Sequence, residues 1–149
     1  MLERPILNER DETLHQTKST DKTILVVEDF DETRFMIKLS LELNGYRVLE
    51  AVNGQQAVDV ARRLPLDLIL MDLDLPVLDG FAATRLIRED SRLRDIPIVA
   101  ITAHATAETR VRAYDTGCDE YLTKPLDFEK LATLLDRLLH GECVNRKER

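Results

Sequence analysis

The sequence has few cysteines and no long apolar segment, and both absences exclude classes of protein. Two cysteines, Cys118 and Cys143, occur in 149 residues, without the spacing of a zinc site or the density of a disulfide framework. No apolar run approaches the roughly 18–20 residues of a transmembrane helix, and residues 1–22 lack the apolar stretch of a secretory signal. The sequence therefore predicts a cytoplasmic protein without a membrane-bound segment.

An excess of basic residues is also absent, since 21 Lys and Arg stand against 28 Asp and Glu, giving a net charge of −7. An acidic surface repels a phosphate backbone, so direct binding of nucleic acid is not expected. Hydrophobic residues make up 44% of the chain, which is enough for a core, and the length suits one domain. We predict a domain over residues 22–140 between polar tails at residues 1–21 and 141–149.

Three short runs of the sequence are almost purely apolar, and two further candidate strands are mixed. Central strands of a parallel sheet are covered on both faces and read as continuous apolar runs. Edge strands are less covered and tolerate polar residues. The apolar runs are residues 24–27, 68–71 and 98–101, and the mixed runs are residues 47–51 and 120–123.

Helical patterns separate these runs. The predicted helices cover residues 31–44, 54–64, 80–89, 107–114 and 127–140. The fourth is the least apolar, and the fifth has the clearest stripe of leucines. Five strands that alternate with five helices predict an α/β fold, a doubly wound parallel sheet with strand order 2-1-3-4-5 and right-handed crossovers.

Polar residues follow four of the five predicted strands. Glu28 and Asp29 follow the first strand, Asp72 the third, Thr102 the fourth and Lys124 the fifth. Each residue alone has an ordinary explanation as a turn or surface residue. In the predicted order, however, these four strands are neighbours, and folds of this kind bind ligands where the carboxyl ends of the strands meet. We therefore expect the five side chains to converge.

Three carboxylates that lie together require a cation, because like charges at short range disfavour ionisation. Mg²⁺ is the expected ion, since it prefers oxygen ligands and bridges to phosphate, and no His or Cys at these positions favours zinc or copper. A carboxylate beside Mg²⁺ can attack phosphorus, while Lys124 and Thr102 contact phosphoryl oxygens. The group of residues is typical of phosphoryl transfer.

These residues belong to longer segments that resemble the receiver domains of bacterial two-component response regulators. The segments occur in the expected order, and they read ILVVED at 24–29, LMDLDLPVLDG at 70–80, ITA at 101–103 and YLTKP at 121–125. The resemblance covers about residues 22–140. It is to single-domain receivers of the chemotaxis-regulator type.

The resemblance implies that Asp72 accepts a phosphoryl group from a sensor histidine kinase or a histidine phosphotransfer protein. Glu28 and Asp29 would bind Mg²⁺ together with Asp72, and Asp74 would add its backbone carbonyl as a further ligand. The rate at which the phosphoryl group hydrolyses would depend on Asp74 and on His104.

The resemblance also implies how the signal is passed on. Thr102 and Tyr121 would form a switch pair, and Lys124 would contact the phosphate through a segment that has a cis bond to Pro125. The protein would be a signalling switch that catalyses only its own phosphorylation and dephosphorylation. Because nine residues follow the fifth predicted helix, we expect a stand-alone regulator that acts by contact with a downstream protein.

Three alternatives stay open at this point. Asp72-Leu73-Asp74 also resembles the DxD motif of haloacid-dehalogenase-type phosphatases, although that motif follows the first strand of its domain and here it follows the third. The strand order is also that of flavodoxin-like flavin carriers, but the acidic residues after the first strand would repel a flavin phosphate. A receiver fold that is never phosphorylated would serve only as a binding module.

Two groups of apolar residues lie outside these motifs. Phe30 and Phe35 are predicted to pack around the first helix, although in the family that the chain resembles this helix often forms the kinase-docking face, and Leu39 and Leu43, one helical turn apart, are predicted to lie in the core. In the N-terminal tail, the apolar residues at positions 2, 6, 7 and 14 are irregularly spaced, and a weak docking segment is one interpretation of them.

Overall fold

The computed structural model describes residues 20–141, which form a five-stranded sheet with helices on both faces. The strands are β1 (Thr23–Val27), β2 (Arg47–Ala51), β3 (Leu68–Asp72), β4 (Ile98–Thr102) and β5 (Glu120–Thr123). The helices are α1 (Asp31–Leu43), α2 (Gly54–Arg63), α3 (Gly80–Glu89), α4 (Ala107–Thr116) and α5 (Phe128–His140), and a 3₁₀ turn covers Ser91–Leu93. Residues 1–19 and 142–149, which make up most of the predicted tails and include Cys143, lie outside the described residues.

The sheet is parallel throughout and has the order β2-β1-β3-β4-β5, so the predicted topology is confirmed. The pattern of burial explains the order. Every residue of β3 and β4 is buried, whereas β2 buries one residue and β5 buries none. Continuous apolar strands thus take the central positions and mixed strands the edges, as expected for a sheet covered on both faces.

Two apolar clusters cover the two faces of the sheet. One contains residues of α2, α3 and α4, including Val58, Ile87 and Ala113. The other contains residues of α1 and α5, including Ile37 and Leu135. Since helices on both faces bury β3 and β4 completely, the polar side chains of these central strands, Asp72 and Thr102, lie at the strand ends.

Side-chain caps fix where most helices begin. Asn53 accepts a hydrogen bond from Gln56 N at 2.8 Å, and Asp79 accepts one from Ala82 N at 2.8 Å. Such caps satisfy amide groups that the first turn leaves unpaired. The fourth helix is two residues longer than predicted, because the residue that ends it is Gly117, which has a φ of 118°.

The predictions that Leu39 and Leu43 lie in the core and that Phe30 and Phe35 pack around the helix were wrong, because all four side chains are exposed. Phe35, Leu39 and Leu43 are 60%, 41% and 62% exposed, and Phe30, which precedes the helix, is 59% exposed. The residues that α1 buries are Ile37 and Leu41. The exposed residues and the buried residues of α1 both have a spacing of four, and only one of these two sets can face the sheet.

Within residues 20–141, no helix has both the length and the apolar composition that crossing a bilayer requires.

Candidate functional site

The carboxyl ends of β1, β3, β4 and β5 meet at one edge of the sheet and carry the side chains that the sequence singled out. Asp72 and Thr102 are the last residues of β3 and β4. Glu28 and Asp29 directly follow β1, and Lys124 directly follows β5. The parallel order of these neighbouring strands explains why residues far apart in sequence are close in space.

Three carboxylates form the centre of the site. Each of Glu28, Asp29 and Asp72 has an oxygen that lies within 4.8 Å of the other two. Glu28 and Asp72 are 2% exposed, whereas Asp29 is open to solvent. The cluster therefore has one accessible side, through which a small ligand or an incoming group can reach the two buried carboxylates.

Lys124 connects two of these carboxylates. Its Nζ lies 2.9 Å from Asp72 Oδ2, to which it donates a hydrogen bond, and 2.8 Å from Glu28 Oε1. The second contact is an ion pair whose angles do not meet those of a hydrogen bond, so Glu28 Oε1 is buried without a hydrogen-bond partner. The backbone N–H of Lys124 donates to the Thr102 carbonyl at 2.8 Å, and the bond to Pro125 is cis, as the sequence resemblance implied.

Burial has the largest effect on the pKa of Asp72. It raises the pKa of this carboxyl to about 6, and the charge of Glu28 acts in the same direction, against hydrogen bonds from Asp74 and Lys124. Burial acts to lower the pKa of Lys124, but its close contacts with the carboxylates of Glu28 and Asp72 outweigh burial and raise that pKa overall. Lys124 is thus a cation at neutral pH, and Asp72 can ionise close to neutral pH.

The donor set fits Mg²⁺. All candidate ligand atoms are oxygens, which is the preference of this hard cation, and one of them is the Glu28 Oε1 atom that lacks a hydrogen-bond partner. Three carboxylates against one ammonium also leave negative charge that a divalent cation would neutralise. The Asp74 carbonyl, which the resemblance added to this set, stays a predicted ligand.

Asp74 joins the acidic cluster to the predicted switch residue. Its backbone N–H donates to Asp72 Oδ1 at 2.8 Å, and its carboxylate accepts a hydrogen bond from Thr102 Oγ1 at 3.3 Å. The Thr102 hydroxyl, which is buried, also accepts from His104 N at 2.9 Å. The hydroxyl of Tyr121 donates to the carbonyl of His104 at 3.3 Å, so both predicted switch residues contact the segment after β4.

Sequence reasoning missed Arg34, which holds the loop that carries the acidic pair. This α1 residue donates to the Glu28 carbonyl at 3.0 Å, to Glu50 at 2.9 Å and to Asp31 at 2.8 Å. A lone Arg at the start of a helix looks in sequence like a solvated residue. Only the pairing of β1 with β2, which brings Glu50 near, reveals its role.

Helix α3 begins with Gly80, and the backbone that carries Asp72 leaves no room for a side chain at this position. A Cβ at Gly80 would meet the carbonyl oxygen of Asp72 and would lie 2.7 Å from Leu73 Cα. Both atoms belong to the backbone and cannot rotate away. The backbone that carries Asp72 therefore packs directly on the start of α3.

The family model described as "Response regulator receiver domain" matches residues 24–136. The chain belongs to this family. The match covers the four segments on which the resemblance was based and the whole sheet except Thr23, the first residue of β1, so the family predicted from the sequence is confirmed.

Two curated proteins illustrate the range of relatives that contain this receiver domain. The DNA-binding dual master transcriptional regulator RpaA of Synechocystis sp. is 37% identical over 134 residues, which cover 83% of this chain and 56% of that protein. The chain therefore spans little more than half the length of RpaA. The polar-differentiation response regulator DivK of Brucella anthropi is 36% identical over 105 residues, which cover 70% of this chain and 85% of that protein.

Solved receiver domains share the fold. The receiver domain of the sensor histidine kinase PA1611 from Pseudomonas aeruginosa PAO1 has a magnesium ion coordinated in its active site cleft; its TM-score is 0.76 at 41% identity, over 80% of this chain and 98% of that chain. A co-crystal structure of the Saccharomyces cerevisiae phosphotransfer protein Ypd1 with the receiver domain of its response regulator Ssk1 has a TM-score of 0.77 at 29% identity, over 85% of this chain and 94% of that chain.

Proposed function

We propose that this receiver domain accepts a phosphoryl group on Asp72 from the phosphohistidine of a histidine kinase or a histidine phosphotransfer protein, in a reaction that depends on Mg²⁺. The observation that carries the proposal is the buried Asp72 carboxylate, with one oxygen held by the Asp74 N–H and the other by Lys124. The Ypd1–Ssk1 complex, in which a phosphotransfer protein binds a receiver domain, supports the class of donor.

The proposed step is a substitution at phosphorus. An O–P bond forms between a carboxylate oxygen of Asp72 and the phosphoryl group as the P–N bond of the phosphohistidine breaks. The electron pair of that bond returns to the imidazole nitrogen. The two hydrogen bonds to Asp72 position the nucleophile before the donor arrives, so the reaction requires little reorganisation of the site.

Charge on the transferred group must be neutralised by the surrounding residues. Lys124 already lies on Asp72 Oδ2 and would follow a phosphoryl oxygen. Glu28, Asp29 and Asp72, with the Asp74 carbonyl, would hold Mg²⁺, which when bound neutralises charge on the phosphoryl oxygens. The acidic cluster and the coordinated magnesium ion in the PA1611 receiver domain support this assignment.

The switch would begin at Thr102. A phosphoryl group adds nearly two negative charges and three acceptor oxygens, and the Thr102 hydroxyl would leave Asp74 to donate to one of them. Tyr121, whose hydroxyl bonds to the same loop, would rotate into the vacated space. Two charge-assisted hydrogen bonds of about 1.5–3 kcal/mol each are enough to reverse a two-state population.

We propose that the domain works as a signalling switch in the cytoplasm and that its own phosphorylation and dephosphorylation are the only reactions it catalyses. Its output would be a changed surface at α4, β5 and α5 that a downstream protein recognises. The expectation of a stand-alone regulator stays a prediction.

Phosphorylation can be tested with a small phosphodonor and intact mass spectrometry. Incubation with acetyl phosphate and Mg²⁺ should add one phosphoryl group to the chain, and Asp72→Asn or removal of Mg²⁺ with a chelator should abolish the addition. Asp136→Asn, which removes an exposed carboxylate of α5, is the matched control and should be labelled like the wild type. Hydrogen exchange with beryllofluoride should then change at α4, β5 and α5.

The other outcomes assign the alternatives. If no donor adds a phosphoryl group, the domain is a binding module with a receiver fold. If p-nitrophenyl phosphate is hydrolysed with steady turnover, the phosphatase interpretation is correct instead. Labelling that persists in Asp72→Asn would refute the assignment of the nucleophile.

A further inference from the structure

Arg34 of α1 holds together three parts of the chain beside the acidic site. Its guanidinium donates from Nη1 to the carbonyl of Glu28 at 3.0 Å, from Nε to Glu50 of β2 at 2.9 Å and from Nη2 to Asp31 at 2.8 Å. The side chain of Arg34 is 15% exposed, so the guanidinium is mostly covered. A guanidinium is planar and its N–H groups point in fixed directions, so this one side chain fixes the loop after β1 against α1 and β2.

The backbone at Glu28 is held on both sides. Its N–H donates to the carbonyl of Ala51, the last residue of β2, at 3.0 Å, and its carbonyl accepts the bond from Arg34. This carbonyl belongs to the peptide group that joins Glu28 to Asp29. Because a peptide group is planar, a contact with the carbonyl fixes the orientation of the whole group and the direction in which the backbone enters Asp29.

The two carboxylates of the acidic pair depend on this backbone to different degrees. The Glu28 carboxylate is buried and has contacts of its own, with Lys124 Nζ at 2.8 Å and with the N–H of Phe30 at 3.1 Å. Asp29 is exposed, so packing does little to orient its side chain. The position of the Asp29 carboxylate therefore depends mainly on the peptide group that Arg34 holds.

We propose that Arg34 is a positioning residue for the Mg²⁺ site, which holds the Glu28–Asp29 peptide so that the Asp29 carboxylate meets those of Glu28 and Asp72. The inference rests on the proposed function, since it concerns the ion that the acidic cluster would bind. Arg34 is a cation with donors only, so it is not itself a ligand. A carboxylate that is already oriented loses less conformational freedom on binding, and residues that hold metal ligands in place therefore raise metal affinity.

The charge of Arg34 acts in the opposite direction, so the sign of the effect tests the proposal. A guanidinium close to a cation site repels a divalent cation, and removal of its charge alone should strengthen Mg²⁺ binding. Arg34 also pairs with the carboxylates of Glu50 and Asp31, which would attract cations once they are unpaired. Weaker Mg²⁺ binding after loss of Arg34 would thus reflect lost positioning and not lost charge.

Mg²⁺ binding to the full chain can be measured without a phosphodonor, from Mg²⁺-induced shifts of the amide signals of the acidic cluster. In Arg34→Gln the dissociation constant should rise about 10-fold. Lys38→Gln is the matched control, because Lys38 lies one turn further along α1 and pairs with Glu42 at 3.4 Å. This control should bind Mg²⁺ like the wild type. Equal or tighter binding in Arg34→Gln would overturn the proposal.

A second variant separates the direction of the donors from the charge. Arg34→Lys keeps the charge and most of the side chain, so it is expected to fold, but one ammonium cannot reach three acceptors that lie in different directions. It should also bind Mg²⁺ more weakly, and wild-type affinity in this variant would count against the proposal. Urea unfolding in a chelator shows that each variant is folded under the conditions of the binding measurement.

The labelling reaction distinguishes failure of this inference from failure of the proposed function. With acetyl phosphate, Arg34→Gln should need about 10-fold more Mg²⁺ for half of the maximal rate and should reach the wild-type rate at saturating Mg²⁺. A lower maximal rate with unchanged Mg²⁺ affinity would overturn the role of Arg34 and leave the proposed function in place. Absence of Mg²⁺ binding by the wild-type chain would refute both.

Discussion

Helices α3 and α4 both have ten residues and pack on the same face of the sheet, yet they are anchored very differently. Helix α3 buries five residues, which include Phe81 and Ile87, whereas α4 buries only Ala113 and Thr116. Small side chains remove little apolar surface from water. The start of α3 packs on the backbone of Asp72, so α3 is a fixed support of the site, whereas the less buried α4 is expected to move more easily.

The largest expected effect separates the two helices by their contribution to stability. Ile87→Ala should lower the free energy of unfolding by about 2–5 kcal/mol, because Ile87 is completely buried and its removal leaves a cavity. Val111→Ala on α4 should change it by no more than about 0.5 kcal/mol, because Val111 is 58% exposed. Urea unfolding measures both, and equal losses would show that α4 is as firmly held as α3.

A second effect concerns the site that α3 supports. Asp72→Asn should raise the free energy of unfolding of the metal-free protein by about 1–3 kcal/mol at pH 8, because an ionised carboxylate is held in a buried place. The folded pKa of about 6 lies above the usual value of 3.8, so folding favours the protonated carboxyl. Stability from this group is therefore present below about pH 4 and is lost as the pH rises to about 6.

Urea unfolding at several pH values in the presence of a chelator tests this sign. The gain from Asp72→Asn should be large at pH 8 and small at pH 4. Asp136→Asn, the exposed control, should show no such dependence on pH. A variant that is less stable than the wild type at pH 8 would contradict the argument.

A smaller effect is expected at the contact that joins α4 to α3. The guanidinium of Arg112 lies 3.9 Å from the centre of the Phe81 ring. Arg112→Gln should cost about 0.5–1 kcal/mol of stability and should speed amide exchange in α4, because a cation–π contact is lost. Arg110→Gln is the matched control, since Arg110 lies 5.9 Å from a ring on its own helix. Equal effects of the two changes would show that the contact does not hold α4.

The last prediction concerns local opening of the structure and uses Cys118, which lies two residues after the end of α4. This thiol is 5% exposed and contacts Thr84 of α3, and burial raises its pKa to about 11. In a chain with Cys143→Ser, a thiol reagent should react slowly, through local opening of the α4 end. The opening free energy should be smaller than that of global unfolding. Equality of the two would mean that α4 opens only with the whole domain.

The sequence predicted the strands and the meeting of the site residues well, because burial on both faces of a parallel sheet leaves a strong apolar signal. Glu28, Asp72 and Lys124 were found because each adjoins a strand end. Leu39 and Leu43 were misplaced, because a four-residue spacing does not tell which side of a helix meets the sheet. The bond between Asp74 and Thr102 depends on side-chain directions and has no local signal.

The hydrogen bond between Thr102 and Asp74 affects how easily the proposed switch would move without phosphorylation. In the unmodified domain the Thr102 hydroxyl already has an acceptor in Asp74 and a donor in the His104 amide. A phosphoryl group on Asp72 would therefore have to compete with a carboxylate for one proton before the hydroxyl could move. Movements of Thr102 without phosphorylation would meet the same competition, so in the proposed switch the Asp74 carboxylate would help to hold Thr102 in its unphosphorylated position.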